Sequence, residues 1–216
     1  MTKTTILFSL LAASAYAVET VKVGIDNDQV KVVQVVVQPQ EKTKLHQHKV
    51  NRVMIYLNSG RQDFDYQPGG ESVLNVKAGE VKWSPAGGMH IAEVTSAHPI
   101  GIVEIELKNP GSGKSASTAL DPLKVDPKQY KLEFENDQVR VFRVKIGPHE
   151  STPVHEHVLN RVLTYITDQQ FRVTSTDGKV DMPVHKAGDV SWGVPAKHKE
   201  ENLSDKPFEA VVTEFK

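Results

Sequence analysis

Six histidines form two similar sets whose residue type and spacing are suited to binding a metal ion. Each set has a His-x-His pair and a third histidine some forty residues later. Alternate side chains of a β-strand point to the same face, so the two histidines of each pair share a face. Neutral imidazole binds zinc, copper, iron and nickel, and a third imidazole from a neighbouring strand would complete a site. The predicted metal ligands are His46, His48 and His90 in the first set and His155, His157 and His198 in the second.

The segments around the two histidine pairs repeat one another. Residues 27–53 and 136–162, aligned at an offset of 109 positions, are identical at 14 of 27 places. Further on, a Lys-Ala-Gly sequence, a tryptophan and the third histidine recur with a register slip of one residue. The sequence therefore predicts an internal duplication, with one domain at 18–108 and a second at 121–216. A Gly- and Ser-rich segment, 109–120, is the predicted flexible linker.

The segments that must position these histidines are predicted to be short β-strands. Apolar, mostly β-branched residues lie in short runs separated by turn sequences, and no long window has a helical period. The predicted strands are 30–37, 50–57, 72–76, 100–107, 139–146, 158–166 and 208–215. This pattern indicates an all-β sandwich or barrel with almost no helix.

The first seventeen residues have the pattern of a secretory signal. Lys3 precedes an apolar run from Ile6 to Ala13, and Ala15-Tyr16-Ala17 is a cleavage sequence of the A-x-A type. A membrane anchor or a buried N-terminal segment is the alternative, but the apolar run is too short to span a bilayer. We therefore expect 1–17 to be a signal peptide and the protein to be exported to the periplasm or the extracellular space.

The charge balance and the absence of cysteine exclude several classes of function. The formal net charge is −1, and it becomes −2 when Lys3 is removed with the signal. This balance gives no electrostatic basis for binding nucleic acid or, after signal removal, a membrane surface. Without cysteine there is no disulfide, thiol nucleophile or thiolate ligand. The expected partner is a small-molecule ligand or substrate, and homo-oligomerisation is left open.

The region around each third histidine resembles the second sequence motif of the cupin superfamily, G-x5-P-x-G-x2-H-x3-N. Gly79 to His90 match it, although Val94 stands in the final Asn position. The second copy, Gly188 to His198, has one inserted residue and no middle glycine, with Asn202 in the Asn position. The resemblance covers nearly all of the chain after the signal and is specifically to the bicupins. It implies two tandem cupin-type barrels, which are double-stranded β-helices of jelly-roll type.

The same resemblance implies a metal-dependent function. Bicupin-like chains suggest oxygenase, isomerase or decarboxylase chemistry on small organic acids or sugars, at a site holding Mn, Fe, Zn, Ni or Cu. Glu41 and Glu150 precede the two His-x-His pairs by five residues and are candidate general bases, with a solvated loop carboxylate as the alternative. The alternative function is a non-catalytic protein that binds or senses a small molecule or a metal through degenerate cupin sites.

Arg52 and Arg161 depart from the pattern of metal-binding cupins, which have a glutamate ligand near this place. Arginine keeps its proton and cannot ligate a metal. One interpretation is that both arginines turn outward at a bulge, or pair with Glu104, Glu106 or Glu214 to hold the sandwich together. Another is that they face the cavity and bind a substrate carboxylate or phosphate, which makes them the candidate substrate-binding residues. The third is a metal-free cavity with vestigial histidines.

Overall fold

The structure is a computed structural model that describes residues 19–114 and 117–216. The predicted signal, 1–17, lies outside the described residues, as do 115 and 116 of the predicted linker. No helix in the described part of the chain has the length and apolar character needed to cross a membrane.

The described chain consists mainly of antiparallel β-strands, with one four-residue helix, α1, at Pro122–Val125. The strands before α1 are β1 Glu19–Asp26, β2 Val30–Val37, β3 His46–His48, β4 Arg52–Tyr56, β5 Gly60–Gln67, β6 Glu71–Val76, β7 Val81–Ser84, β8 Gly87–Val94 and β9 Ile100–Leu107. The strands after α1 are β10 Tyr130–Glu135, β11 Val139–Ile146, β12 His155–His157, β13 Arg161–Tyr165, β14 Gln169–Ser175, β15 Val180–Asp181, β16 Val184–His185, β17 Val190–Gly193, β18 Ala196–Asn202 and β19 Phe208–Phe215. The predicted all-β fold with almost no helix is confirmed.

The strands before and after α1 have the same arrangement. The first half has a five-stranded sheet in the order β1-β2-β9-β4-β7 and a four-stranded sheet in the order β3-β8-β5-β6. The second half has the corresponding orders β10-β11-β19-β13-β17 and β12-β18-β14-β15, and β16 pairs with β14. The predicted domain boundary falls between β9 and α1 and stays a prediction.

The inner strands of the five-stranded sheets, such as β2, β9, β11 and β19, are largely buried on both faces, which explains their continuous apolar runs. On β2, Val33, Val35 and Val37 pack inside the first barrel. Val30 and Val32 point to the other face and join a core that also contains residues of the second half, such as Val139 and Val141. The two five-stranded sheets therefore pack against each other, and each barrel keeps a separate interior.

Reciprocal hydrogen bonds between repeated residues reinforce this contact. The Asn51 side-chain amide donates to Gln138 Oε1 at 2.5 Å, and the Asn160 amide donates to Gln29 Oε1 at 2.6 Å. Asn51 and Asn160 are equivalent in the repeat, as are Gln29 and Gln138. The contact between the barrels thus has the self-complementary form of a two-fold interface within one chain.

Candidate metal centres and cavity

The first histidine set converges at one end of the first barrel. His46 and His48 lie on β3, and His46 is paired in register with His90 on β8. The ligand nitrogens of the three lie within 4.8 Å of one another. His46 Nδ1 donates to the Lys44 carbonyl at 2.8 Å, and His90 Nδ1 donates to the Gly88 carbonyl at 3.0 Å. Because Nδ1 carries the proton in both rings, the Nε2 lone pairs stay available for a metal.

The second histidine set has the same arrangement but is more deeply buried. His155 and His157 lie on β12, and His155 is paired in register with His198 on β18. The three side chains belong to residues that are 0%, 4% and 6% exposed, and their ligand nitrogens also lie within 4.8 Å of one another. His155 Nδ1 donates to the Pro153 carbonyl at 3.1 Å, and His157 Nδ1 donates to Glu214 Oε1 at 2.8 Å. A carboxylate behind a histidine fixes its ring and raises its basicity as a ligand.

Both sets fit a divalent transition metal, because three imidazole nitrogens meet in each. Burial, together with the charges of Arg52 and His46, lowers the pKa of His48 to about 3. Burial also lowers the pKa of His155, and that of His157 falls well below its usual range. Metal ligation requires the unprotonated ring, so this shift favours binding. The structure thus brings together all six predicted ligands in two groups of three.

Arg52 faces the cavity of the first barrel and is also paired with a carboxylate. Its Nη1 donates to Glu104 Oε2 at 2.7 Å and to His48 Nε2 at 3.0 Å, and its Nη2 donates to Ser84 Oγ at 2.9 Å. His48, Glu104 and Glu106 form a further group with ligand atoms within 4.8 Å, but Glu104 is held by Arg52. Arg52 therefore combines the ion pair of the first interpretation with the cavity-facing position of the second, and its role in substrate binding stays a prediction.

Arg161 has the same place in the second barrel but different partners. It is buried against the smaller cavity of that barrel, and its Nη1 donates to the Val194 carbonyl at 2.6 Å. The strand position that Glu104 occupies in the first barrel belongs to Val212 in the second, so Arg161 has no equivalent ion pair there. The shared Asn-Arg-Val sequence therefore does not determine the contacts of its arginine.

The two barrels differ greatly in the space beside their histidines. The first barrel has a cavity of about 600 Å³, whereas the space in the second is about 20 Å³. Three positions facing the interior carry a small side chain in the first barrel and a large one in the second. These pairs, matched by strand register, are Val21 with Tyr130, Val33 with Phe142 and Ala92 with Glu200.

The large side chains of the second barrel lie against its histidines. The Tyr130 hydroxyl is 3.3 Å from His155 Nε2 and donates to Glu200 Oε2 at 3.3 Å. Glu200 Oε1 is 3.6 Å from His198 Nε2, and Phe142 stacks on the ring of His157 at a centroid distance of 6.0 Å. Reasoning from the sequence missed Glu200, although its place two residues after His198 on a strand puts both side chains on one face.

Glu41 and Glu150, the candidate general bases, are not brought to the histidines. The Glu150 carboxylate accepts hydrogen bonds from Lys128 Nζ at 3.1 Å, from Gln129 Nε2 at 3.2 Å and from the Gly147 amide at 3.1 Å. Glu41 Oε2 is buried and has no hydrogen-bond partner among the described residues. Neither glutamate lines the larger cavity or the smaller one.

Comparison with known proteins gives similarity in structure only. No family model and no curated protein matches the sequence. AerE from Microcystis aeruginosa superposes with a TM-score of 0.69 at 13% identity, covering 94% of this chain and 95% of that one. A cupin 2 conserved barrel domain protein from Leptotrichia buccalis gives a TM-score of 0.57 at 14% identity, with 95% and 93% coverage. Oxalate decarboxylase from Bacillus subtilis gives a TM-score of 0.59 at 14% identity, and the match covers 87% of this chain and 68% of that one.

These identities are low, so the likeness concerns the fold. The fold is nevertheless the one that the glycine, proline and histidine motifs of both halves predict. The chain therefore has the all-β cupin fold, built as two tandem cupin-type barrels.

Proposed function

We propose that the protein is an exported, metal-dependent enzyme whose first barrel acts on a small organic substrate. The observation that carries this proposal is the convergence of His46, His48 and His90 at the wall of a cavity of about 600 Å³. The place near the His-x-His pair that provides a glutamate ligand in metal-binding cupins holds Arg52, so three protein ligands leave coordination positions open. A divalent transition metal bound there would supply Lewis-acid or redox chemistry next to the substrate.

The cavity walls favour a substrate with an apolar body and an anionic head. Side chains such as Val35, Met54 and Ile102 line most of it, and polar groups lie at the histidine end. Arg52 Nε is buried there and has no hydrogen-bond partner among the described residues. Other atoms of Arg52 line the cavity, and guanidinium groups bind carboxylates well, so the proposed place for a substrate carboxylate is beside this side chain. The proposed substrates are therefore small organic acids, with reactions of the oxygenase, isomerase or decarboxylase type.

The test loads the purified protein with Mn, Fe, Zn, Ni or Cu and supplies a panel of small organic acids of increasing apolar size. Oxygen uptake, CO₂ release and substrate loss by mass spectrometry separate the three reaction types. We expect turnover to disappear in the His46→Ala/His48→Ala variant and to persist in the matched His155→Ala/His157→Ala variant. Failure of the wild-type protein to retain any of these metals would overturn the proposal.

The second candidate function is binding or sensing of the same class of small molecule without turnover. It is favoured by the positions of Glu41 and Glu150, which line neither cavity, and by the pairing of Glu104 with Arg52. Saturable ligand binding without any chemical change in the metal-loaded protein would support this function over catalysis.

A further inference from the structure

The wall of the first cavity carries a row of three charged residues. Arg52, Glu106 and Lys31 lie on the neighbouring strands β4, β9 and β2, and Glu106 is paired in register with both cations. All three residues line the cavity of about 600 Å³. Side chains of residues paired on neighbouring strands begin about 5 Å apart, so the carboxylate belongs to the middle of this row.

The Glu106 carboxylate is not paired with either cation of the row. The Arg52 guanidinium is bonded to Glu104 instead, at 2.7 Å. Among the described residues, no lysine or arginine nitrogen lies within 4.0 Å of the Glu106 carboxylate, and no carboxylate oxygen lies within 4.0 Å of Lys31 Nζ. Glu106 is half-buried, and a carboxylate that loses hydration without a partner is costly. A positively charged group of a bound ligand would offset this cost.

The equivalent row of the second barrel is satisfied by protein side chains. Glu214 accepts hydrogen bonds from Arg140 Nε at 2.9 Å and Nη2 at 2.7 Å, and from His157 Nδ1 at 2.8 Å. Arg140 is held in turn by Asp121, the residue that caps α1. Lys31 has the place of Arg140 in the first barrel, and it lacks the forked guanidinium that binds a carboxylate with two donors. The same strand position thus carries a satisfied carboxylate in the packed barrel and an unpaired one in the open barrel.

We propose that Glu106 binds the amino group of the substrate, which is an α-amino acid with an apolar side chain. In line with the function proposed above, on which this inference rests, the substrate carboxylate lies beside Arg52. Arg52 and Glu106 are register partners, and a spacing of about 5 Å suits a carboxylate and an ammonium group carried on one carbon atom. The apolar side chain of the substrate lies among residues such as Val35 and Ile102.

The charges of the cavity wall also favour a ligand that carries both signs. Arg52 and Lys31 contribute two positive charges, and Glu104 and Glu106 contribute two negative ones. A further lysine of the lining is neutralised by its own partner, and this pair is Lys82 and Glu80. A simple carboxylate adds a negative charge to this balanced wall, whereas an amino acid adds none. An ammonium group also makes a stronger hydrogen bond to a carboxylate than a hydroxyl group does.

Ligand selectivity tests this assignment, and isothermal titration calorimetry at neutral pH measures it with three ligands that share one apolar body. Leucine, 2-hydroxy-4-methylpentanoate and 4-methylpentanoate carry an ammonium group, a hydroxyl group and a hydrogen atom on the same carbon. The wild-type protein is titrated with and without added Zn²⁺, because Glu106 should select the amino group in either state. We expect leucine to bind at least about tenfold more tightly than either of the other two ligands.

Two variants remove the partner of the amino group in different ways. Glu106→Gln removes the negative charge, whereas Lys31→Arg supplies the guanidinium that Arg140 provides in the second barrel. In both variants we expect leucine to bind no more than about threefold more tightly than 4-methylpentanoate. Glu93→Gln is the matched control, because Glu93 is a half-buried carboxylate of the same barrel that pairs with Lys42 and does not line the cavity. It should keep the selectivity of the wild-type protein.

The ratio of the two affinities separates a ligand contact from a structural role, because a damaged fold weakens the binding of both ligands. Lys31→Arg repeats the test if Glu106→Gln fails to fold. Absence of leucine binding, equal binding of leucine and 4-methylpentanoate, or wild-type selectivity in Glu106→Gln would overturn the inference. The function proposed above would survive these results, since its own test is metal retention and turnover of an organic acid. A protein that selects leucine but retains no metal would instead overturn the proposed function alone.

Discussion

Arg52 and Glu104 form a buried ion pair at the wall of the larger cavity, where both residues are less than a tenth exposed. Such a pair contributes little net stability, because desolvation of the two charges offsets their attraction. Removal of one partner is different, since it takes a charged contact away from a group that stays buried. The contact of Arg52 with His48 Nε2 also competes with a metal for that lone pair.

Arg52→Met is therefore expected to destabilise the protein by about 3 kcal/mol, because the buried Glu104 loses its ion pair with Arg52. The double variant Arg52→Met/Glu104→Leu should recover most of this loss. Urea unfolding of the wild-type protein and the two variants measures both effects. A double variant as unstable as the single one would show that the ion pair itself is needed.

Glu214 supports a metal ligand of the second barrel from behind. Its carboxylate accepts a hydrogen bond from His157 Nδ1 and two from Arg140, and Arg140 also pairs with Asp121. Glu214→Gln should weaken metal binding at the second site by roughly ten- to a hundredfold, because the imidazole loses its carboxylate partner. Titration with Zn²⁺ measures this change. Glu106→Gln, the equivalent change in the first barrel, is the control and should leave the second site unaffected.

At the scale of elements, β2 and β11 carry one of the three positions at which the two barrels differ in side-chain size. Val33 and Phe142 occupy the same strand position, paired with Glu104 and Val212 respectively. Phe142 is fully buried and fills its barrel, whereas Val33 borders the cavity of about 600 Å³. The five-stranded sheets that contain β2 and β11 have the same strand order and the same register at this position, so the difference here lies in side-chain volume.

The two single substitutions Phe142→Val and Val33→Phe should affect the stability of the protein to different extents. Phe142→Val is expected to destabilise the protein by about 2 kcal/mol, because it opens a void in a packed core. Val33→Phe should cost well under that, because its ring enters existing space, and it should reduce ligand binding in the first barrel. Urea unfolding measures the stability of both variants, and ligand titration measures binding to the first barrel in Val33→Phe. A larger loss of stability from Val33→Phe would contradict the description of the first cavity as open.

At the scale of the whole molecule, the two barrels share one apolar core. Trp83 of the first half packs edge-on against Phe134 of the second, and Trp192 stacks on Phe215. Both tryptophans pack on the core between the five-stranded sheets. Separation of the barrels would expose a continuous apolar face on each, so the two should unfold together.

Single-tryptophan variants test this coupling, because the chain has two tryptophans. Trp83→Phe leaves a fluorescent reporter in the second barrel, and Trp192→Phe leaves one in the first. We expect fluorescence and circular dichroism to give coincident urea transitions within each variant. Two separated transitions would show that the barrels unfold independently despite the shared core.

The fold and the histidine sets were largely predictable from local sequence. Strands β2, β9, β11 and β19 have the predicted bounds, because buried strands in a two-sided sheet are continuous β-branched runs. His46 and His48 share a face because the strand period is two, and the motif spacing predicts that His90 lies beside them. The positions of Glu41 and Glu150 relative to the histidines could not be predicted in this way, because the paths of their loops depend on contacts with distant residues.

The sequence by itself determined that this chain is all-β, has two similar halves and carries two sets of three histidines. Only the tertiary structure decided which half is open and what each arginine contacts. Val21, Val33 and Ala92 lie on three different strands, and their combined small volume becomes a cavity only when those strands meet. Arg52 pairs with Glu104 on β9, far along the chain, whereas the equivalent position on β19 holds Val212 and Arg161 donates to the Val194 carbonyl instead. These contacts depend on how distant strands pair with one another, and that register cannot be predicted from the local spacing of residues.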